Sequence, residues 1–146
     1  MNNIKLKFKR LTNTAKLPTY AHAGDSGMDI CADEEVLILH HPYHSYAKIH
    51  TGIAAVIPDG FELQVRPRSG MAARGVFAAW GTVDEGYRGE ICVTLYNHSD
   101  KPHLVRTGDR IAQLILAPVV RADIEETDDL GENTERGTNG FGSTGR

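Results

Sequence analysis

Cysteine is nearly missing from this chain: Cys31 and Cys92 stand far apart and form no C-x-x-C pattern. Neither a thiolate zinc site nor a dense disulfide framework is supported, and buried thiols in a reducing compartment, the cytoplasm, are expected instead. Positive charge is not in excess either. Sixteen Lys and Arg face nineteen Asp and Glu, for a net charge of −3, so no global field holds DNA or RNA and any phosphate recognition has to be local. Apolar runs are short. None approaches the roughly 20 residues needed to cross a bilayer, and residues 1–10 alternate rather than forming a signal peptide. No repeat of about 20–50 residues is present, which disfavours propellers and solenoids. Helical patterning is confined to residues 69–75, where Ser69 is expected to cap the start and Gly75 the end. The histidines, seven in all, have no spacing that suits a zinc helix or a catalytic triad, and read as surface or loop residues.

What the chain does have is short runs of branched residues punctuated by Gly, Pro, Asn and Asp. Ile4, Leu6 and Phe8 alternate with Lys5, Lys7 and Lys9, the pattern of an edge strand with one apolar face. Val36–Leu39, Ile49–Ile57, Phe61–Val65, Ile91–Tyr96 and Ile111–Val120 are further strand candidates. At 146 residues, 40% of them hydrophobic, this predicts one all-β domain, a sandwich or barrel with one very short helix.

From Asp123 to Glu135 the strand pattern stops and seven carboxylates appear. Such a stretch repels itself and stays extended, so residues 123–146 read as an acidic linker and a glycine-rich end attached to a barrel over 1–122. The segment Arg136–Arg146 has four glycines, one ring at Phe141 and almost nothing to bury. Glycine loses the most freedom on ordering, so this segment needs an external partner to fix it. Arg136 offers a phosphate fork, Phe141 a stacking ring, and Ser143 and Thr144 hydroxyls and amides for an anion. A nucleotide lid fits that set; a solvated tail fits the composition equally.

Four internal segments carry polar chemistry, each with a plain structural reading beside it. Gly81–Gly89 is a polar turn between two apolar runs and looks like a hairpin tip; its main chain suits a planar base edge, Asp84 suits water activation, and Tyr87 suits packing on a sugar. A tight turn with a solvated Asp explains the same residues. Arg66–Gly70 places two guanidiniums, a hydroxyl and a glycine amide at the start of the helical turn, an anion site or simply a cap with surface arginines. Gln113 is a polar group within an apolar run and needs partners, from the core or a ligand. Ala23–Ile30 holds Asp25 and Asp29 beside two glycines, either a turn or a place for a hard cation kept in its water shell.

Taken together and in this order, Ala23–Ile30, Arg66–Gly70, Gly81–Asn97, Gly108–Leu116 and Arg136–Gly145 resemble the five motifs of the trimeric dUTPases, nearly end to end. The resemblance implies a distorted β-barrel of jelly-roll type, a homotrimer with shared active sites, and hydrolysis of dUTP to dUMP and pyrophosphate with Mg2+. It implies that Asp84 positions the attacking water and that Asp29 approaches the metal through water. By the same likeness Arg68, Ser69, Gly70 and Gln113 hold phosphates, while the main chain of Gly81, Thr82, Val83 and Cys92 reads uracil. Tyr87 would pack on deoxyribose, Arg136 would meet the γ-phosphate, and Phe141, Gly142 and Ser143 would close over the nucleotide. No direct nucleic-acid or membrane partner is implied. Ala78 and Trp80 stand where many relatives have Asn and Pro, which implies a lost side-chain contact to the base, and Asn139 replaces a usual glycine. A dCTP deaminase of the same architecture and a nucleotide-gated binding protein are the competing expectations.

Overall fold

The computed structural model describes residues 4–43, 45–131 and 134–138. Within them the strands are β1 (Lys7–Arg10), β2 (Met28–Cys31), β3 (Val36–Ile38), β4 (Tyr46–Ile49), β5 (Ile53–Val56), β6 (Phe61–Arg66), β7 (Val76–Ala78), β8 (Gly81–Val83), β9 (Val93–Asn97), β10 (His103–Val105) and β11 (Arg110–Pro118). A single short helix, α1 (Ser69–Ala72), lies between β6 and β7. The fold is thus nearly all β, as the turn-punctuated runs predict. Every pairing is antiparallel: β1 with β5, β3 with β10, a four-stranded sheet β2-β11-β6-β8 and a three-stranded sheet β4-β9-β7.

Alternation decides which side chains go inside. In β9 Val93, Leu95 and Asn97 are buried and Thr94 and Tyr96 only partly so, and in β6 Leu63 and Val65 point inward while Glu62, Gln64 and Arg66 do not. The inward sets of both larger sheets meet in one core with Ile30, Ile38, Ile49, Ile53, Ile91, Ile111 and Leu114, each at most 2% exposed. The outward set of β6 is a hydrogen-bonded ladder: Gln64 donates to Glu62 and Arg66 donates to Gln64, both at 2.6 Å.

Several boundaries differ from the sequence expectation, each for a local reason. The first strand begins at Lys7, where pairing with Val56 begins, although Leu6 still packs on the core. The run 49–57 divides at Thr51 and Gly52, where the chain turns through a positive φ of 64° at Gly52. A side chain there would sit 2.7 Å from Ala15 Cβ and Asp33, so glycine is required on two counts. Where residues 23–30 read as a turn or a cation place, 28–31 form strand β2; the apolar arm from Val76 becomes β7, and β10 was not anticipated as a strand. Ser69 does not cap α1: Arg68 occupies that position and no side chain supplies a cap bond. Gly81–Val83 is not the tip of a hairpin. The arms β7 and β9 do pair, Val76 opposite Asn97, but between them the chain leaves to add β8 to the edge of β6. The cysteines are free and half-buried rather than buried.

Asn97 closes one end of the core. It is fully buried, donates to the carbonyls of Ile38, Leu39 and Lys101 and accepts from the Ser99 amide and hydroxyl. Replacing it by Ala leaves the buried Ile38 carbonyl, and in part the half-buried groups around it, without a partner, at about 1–3 kcal/mol for each one left unpaired. Asn97→Ala is therefore expected to lower stability by about 2–5 kcal/mol, read as the shift in denaturant midpoint at fixed protein concentration; an unshifted midpoint rejects the role.

Candidate active site

The register of the four-stranded sheet gathers three distant motifs. Gln113 on β11 is the Cα partner of Asp29 on β2 and of Arg66 on β6, so three polar residues stand side by side on one face. The register shifts between Arg110 and Ala112, and such a bulge re-aims the side chains around it. Asp29 is the pivot. Only 7% exposed, it accepts from Arg68 Nε at 3.0 Å on one oxygen and from Arg110 Nη1 at 3.3 Å on the other. Arg68 also donates to the Arg110 carbonyl at 3.2 Å. A buried carboxylate requires such pairing, and the pairing in turn holds two guanidiniums close together. Gly27 allows the close approach of Gln113: a Cβ there would lie 3.0 Å from Gln113 Cβ.

Arg68 and Arg110 open onto a cleft of about 280 Å³ that also has Arg74, Asp109 and His103 on its wall. Three arginines line this cleft beside Asp109, two of them already paired to Asp29, which leaves a local excess of positive charge there. His103 corrects the reading of the histidines as surface groups, since it is half-buried there. Burial first, then the Arg74 charge, holds its pKa below the ordinary histidine value against the pull of Asp109.

A second cleft of about 310 Å³ is formed by Lys48, Thr82, Val83, Asp84, Tyr87, Glu90, Ile91 and Cys92. Asp84 sits where β8 ends, in a turn closed by the Tyr87 amide donating to its carbonyl at 3.0 Å. Its carboxylate is exposed and bonds to nothing among the described residues. The two glutamates that follow it, Glu85 and Glu90, are, in contrast, tied down. Glu85 accepts from the Gly60 amide at 2.8 Å and pairs with Arg121 at 3.1 Å; the Gly60 amide first, then Arg121, draws its pKa down. Glu90 accepts from the amides of Thr51 (3.1 Å) and Gly52 (2.8 Å) through one oxygen and meets His50 Nδ1 at 2.8 Å with the other. Tyr87 donates its hydroxyl to the Glu90 carbonyl at 2.9 Å, and its ring lies against Gly89 where any Cβ would collide. The loop is thus fixed at both ends while the Asp84 carboxylate stays open to solvent.

The site residues expected from sequence fall into two groups. Asp29, Arg68 and Gln113 lie on the β2-β11-β6 face or beside it; Gly81, Thr82, Val83, Asp84, Tyr87 and Cys92 surround the second cleft or its rim. Ser69 and Gly70, both exposed, open α1 directly after Arg68. Arg136 is described and exposed, whereas Phe141, Gly142, Ser143 and Asn139 lie outside the described residues. Ala78 is fully buried opposite Leu95 and presents nothing to a ligand. Trp80, 70% exposed, lies under the Arg66 guanidinium at 4.2 Å. Sequence reasoning assigned no part to Arg110, His103 or the pinning glutamates; an Arg after Gly-Asp at a strand start was the one visible signal.

Residues 13–145 match the family described as dUTPase. The chain belongs to the dUTPase family. It is 47% identical over 145 residues to the deoxyuridine 5'-triphosphate nucleotidohydrolase of Gloeothece citriformis, covering 97% of each chain. It is 49% identical over 143 residues to the enzyme of that name from a Picosynechococcus species, covering 96% of this chain and 98% of that one. Among solved structures, the Staphylococcus bacteriophage 80alpha dUTPase with dUpNHpp superposes with a TM-score of 0.87 at 26% identity, over 99% of this chain and 100% of that one. Among the described residues no helix is long and apolar enough to cross a membrane.

The pinned loop has a signature in acid. Burial raises the Glu90 pKa, but the bonds from His50 and the two amides outweigh it and the net shift is downward. A group depressed on folding contributes stability that is complete above its unfolded pKa and is lost as pH falls through the folded one. Acidification below the ordinary glutamate range should therefore destabilise the protein, and Glu90→Gln should flatten that limb. Thermal melts across pH test this; an identical acid slope in the variant rejects it.

Proposed function

We propose that the chain hydrolyses dUTP to dUMP and pyrophosphate, limiting uracil in DNA and supplying dUMP for thymidylate synthesis. The observation that carries the mechanism is the open Asp84 carboxylate on a loop in which Glu85 and Glu90 are both tied. A carboxylate held in place and still accessible suits a general base. As the water oxygen bonds to the α-phosphorus, its proton passes to Asp84 and the bridging P–O bond to the β-phosphate breaks, releasing pyrophosphate. Tyr87 packs on the deoxyribose and disfavours a 2′-hydroxyl. The main chain of Gly81, Thr82 and Val83, with Cys92, reads uracil.

Arg68, Ser69, Gly70 and Gln113 take the phosphates, and Arg136 meets the γ-phosphate. Phosphoryl transfer asks mainly for alignment and charge neutralisation, which paired arginines supply. The Asp29 carboxylate fits a hydrated Mg2+ better than a bare one: each oxygen already accepts one guanidinium N–H and keeps a lone pair for a metal-bound water. Mg2+ on the triphosphate would neutralise charge and fix its geometry.

Among the described residues the two clefts have no wall residue in common. That supports a site completed between copies, in the jelly-roll homotrimer the resemblance implies, with Phe141, Gly142 and Ser143 of a tail closing over the nucleotide. The acidic stretch from Asp123 supplies the reach. Closure would exclude stray water from the reaction.

Purified protein with dUTP and Mg2+ should yield dUMP and pyrophosphate when nucleotides are resolved by chromatography, with dCTP, dTTP and UTP consumed far more slowly. No dUMP under several conditions rejects the proposal, and ammonia released from dCTP would favour a deaminase. Asp84→Asn should keep nucleotide binding but slow turnover by about 100-fold or more, since an amide cannot take the water's proton. Near-normal kcat in that variant would remove Asp84 from the base role.

A further inference from the structure

We propose that His50, Glu90 and Cys92 form a binding site for a borderline-soft divalent cation of the Zn2+ class, separate from the Mg2+ chemistry of the triphosphate. The site takes no step in the nucleotide reaction, although Glu90 and Cys92 also line the second cleft. Among the described residues this is the one group of three His, Cys, Asp or Glu side chains whose ligand atoms all lie within 4.8 Å of one another. The sequence hides it, because His50 lies 40 and 42 positions from the other two. The fold joins them: the amide of Ile91 donates to the Ile53 carbonyl at 2.7 Å, and the buried Thr51 hydroxyl donates to the Ile91 carbonyl.

One edge of the ligand set already has the spacing of a tetrahedral ion. With Zn–S near 2.3 Å and Zn–N near 2.0–2.1 Å, the S···N edge of a tetrahedron is about 3.6 Å. Cys92 Sγ and His50 Nδ1 are 3.7 Å apart. His50 Nδ1 and Glu90 Oε2 stand at 2.8 Å and need to open by about 0.6 Å to reach the N···O edge those bond lengths set. The exposed His50 ring makes that movement cheap, and also provides an entry path. Glu90 is oriented in advance: its other oxygen is held by the Thr51 and Gly52 amides, the kind of outer-shell support that aims a ligating carboxylate. On binding, the Cys92 thiol gives its proton to solvent and the thiolate ligates, leaving one coordination position for water. A thiolate and an imidazole select Zn2+ over Mg2+, which prefers oxygen ligands.

The test uses the full chain stripped of metal by a chelator, titrated with Zn2+ against a chromophoric competitor, with Co2+ as a spectroscopic stand-in. One ion per chain is expected, not displaced by excess Mg2+, with a thiolate-to-cobalt charge-transfer band in the near ultraviolet. Cys92→Ser should abolish that band, and Cys92→Ser and His50→Ala should each weaken Zn2+ binding by roughly tenfold or more, with melting curves showing both variants folded. Absence of stoichiometric binding overturns the proposal. So does binding that Cys92→Ser leaves unchanged, which would place the metal elsewhere.

Discussion

The structure turns on one buried carboxylate. Asp29 is placed by the pairing of β2 with β11 and is held by Arg68, which follows β6, and by Arg110, which begins β11. Each arginine is a surface-capable side chain that would otherwise sample solvent. Taking a carboxylate out of water is costly unless it is paired, so Asp29 and its two guanidiniums fix one another. The consequence reaches past stability. The same arrangement sets the guanidinium-lined wall of the first cleft, and it does so with residues drawn from three separate stretches of chain.

The second cleft is organised on the opposite principle. Here the functional candidate, Asp84, is the group left untied, and rigidity comes from its neighbours. Glu85 is anchored to the turn before β6 and to Arg121, Glu90 to the turn before β5, and Tyr87 to the backbone of Glu90. A base that must take a proton loses basicity if its oxygens are already engaged as acceptors, whereas a base on a loose loop loses aim. Tying Glu85, Tyr87 and Glu90, which all follow Asp84, while its own carboxylate stays free is compatible with both demands. The His50 contact to Glu90 then links this loop to a surface histidine, which is where a cation would enter the same network.

Much of this was legible from sequence, though unevenly. The all-β class followed from period-two patterning, and Phe61–Val65 and Ile111–Val120 became β6 and β11 almost as read. The one-turn helix also followed, but its cap did not, since Arg68 adopts the extended cap conformation and turns its guanidinium to Asp29 instead. Strand β8 was misread because Gly81 looks like a turn residue; Val65 opposite it supplies the edge that makes Gly81–Val83 a strand. The phosphate-type motif around Arg68 and the Asp84 turn were visible as residue types. Their partners, Arg110, His103, Glu85 and Glu90, were not, because nothing in a linear pattern says which acid will be pinned and which left free.

What the sequence determined by itself was therefore local: which faces are apolar, where glycine lets the chain turn, and which segments carry acid, guanidinium and hydroxyl groups in the order of a dUTPase. Those properties depend on a residue and its near neighbours. Tertiary structure decided register and proximity: that Gln113 lies between Asp29 and Arg66, that one carboxylate holds two arginines, and that His50 meets Glu90 and Cys92. The physical reason is that these contacts join residues tens of positions apart, and only the pairing of whole strands around a shared core fixes which of them meet.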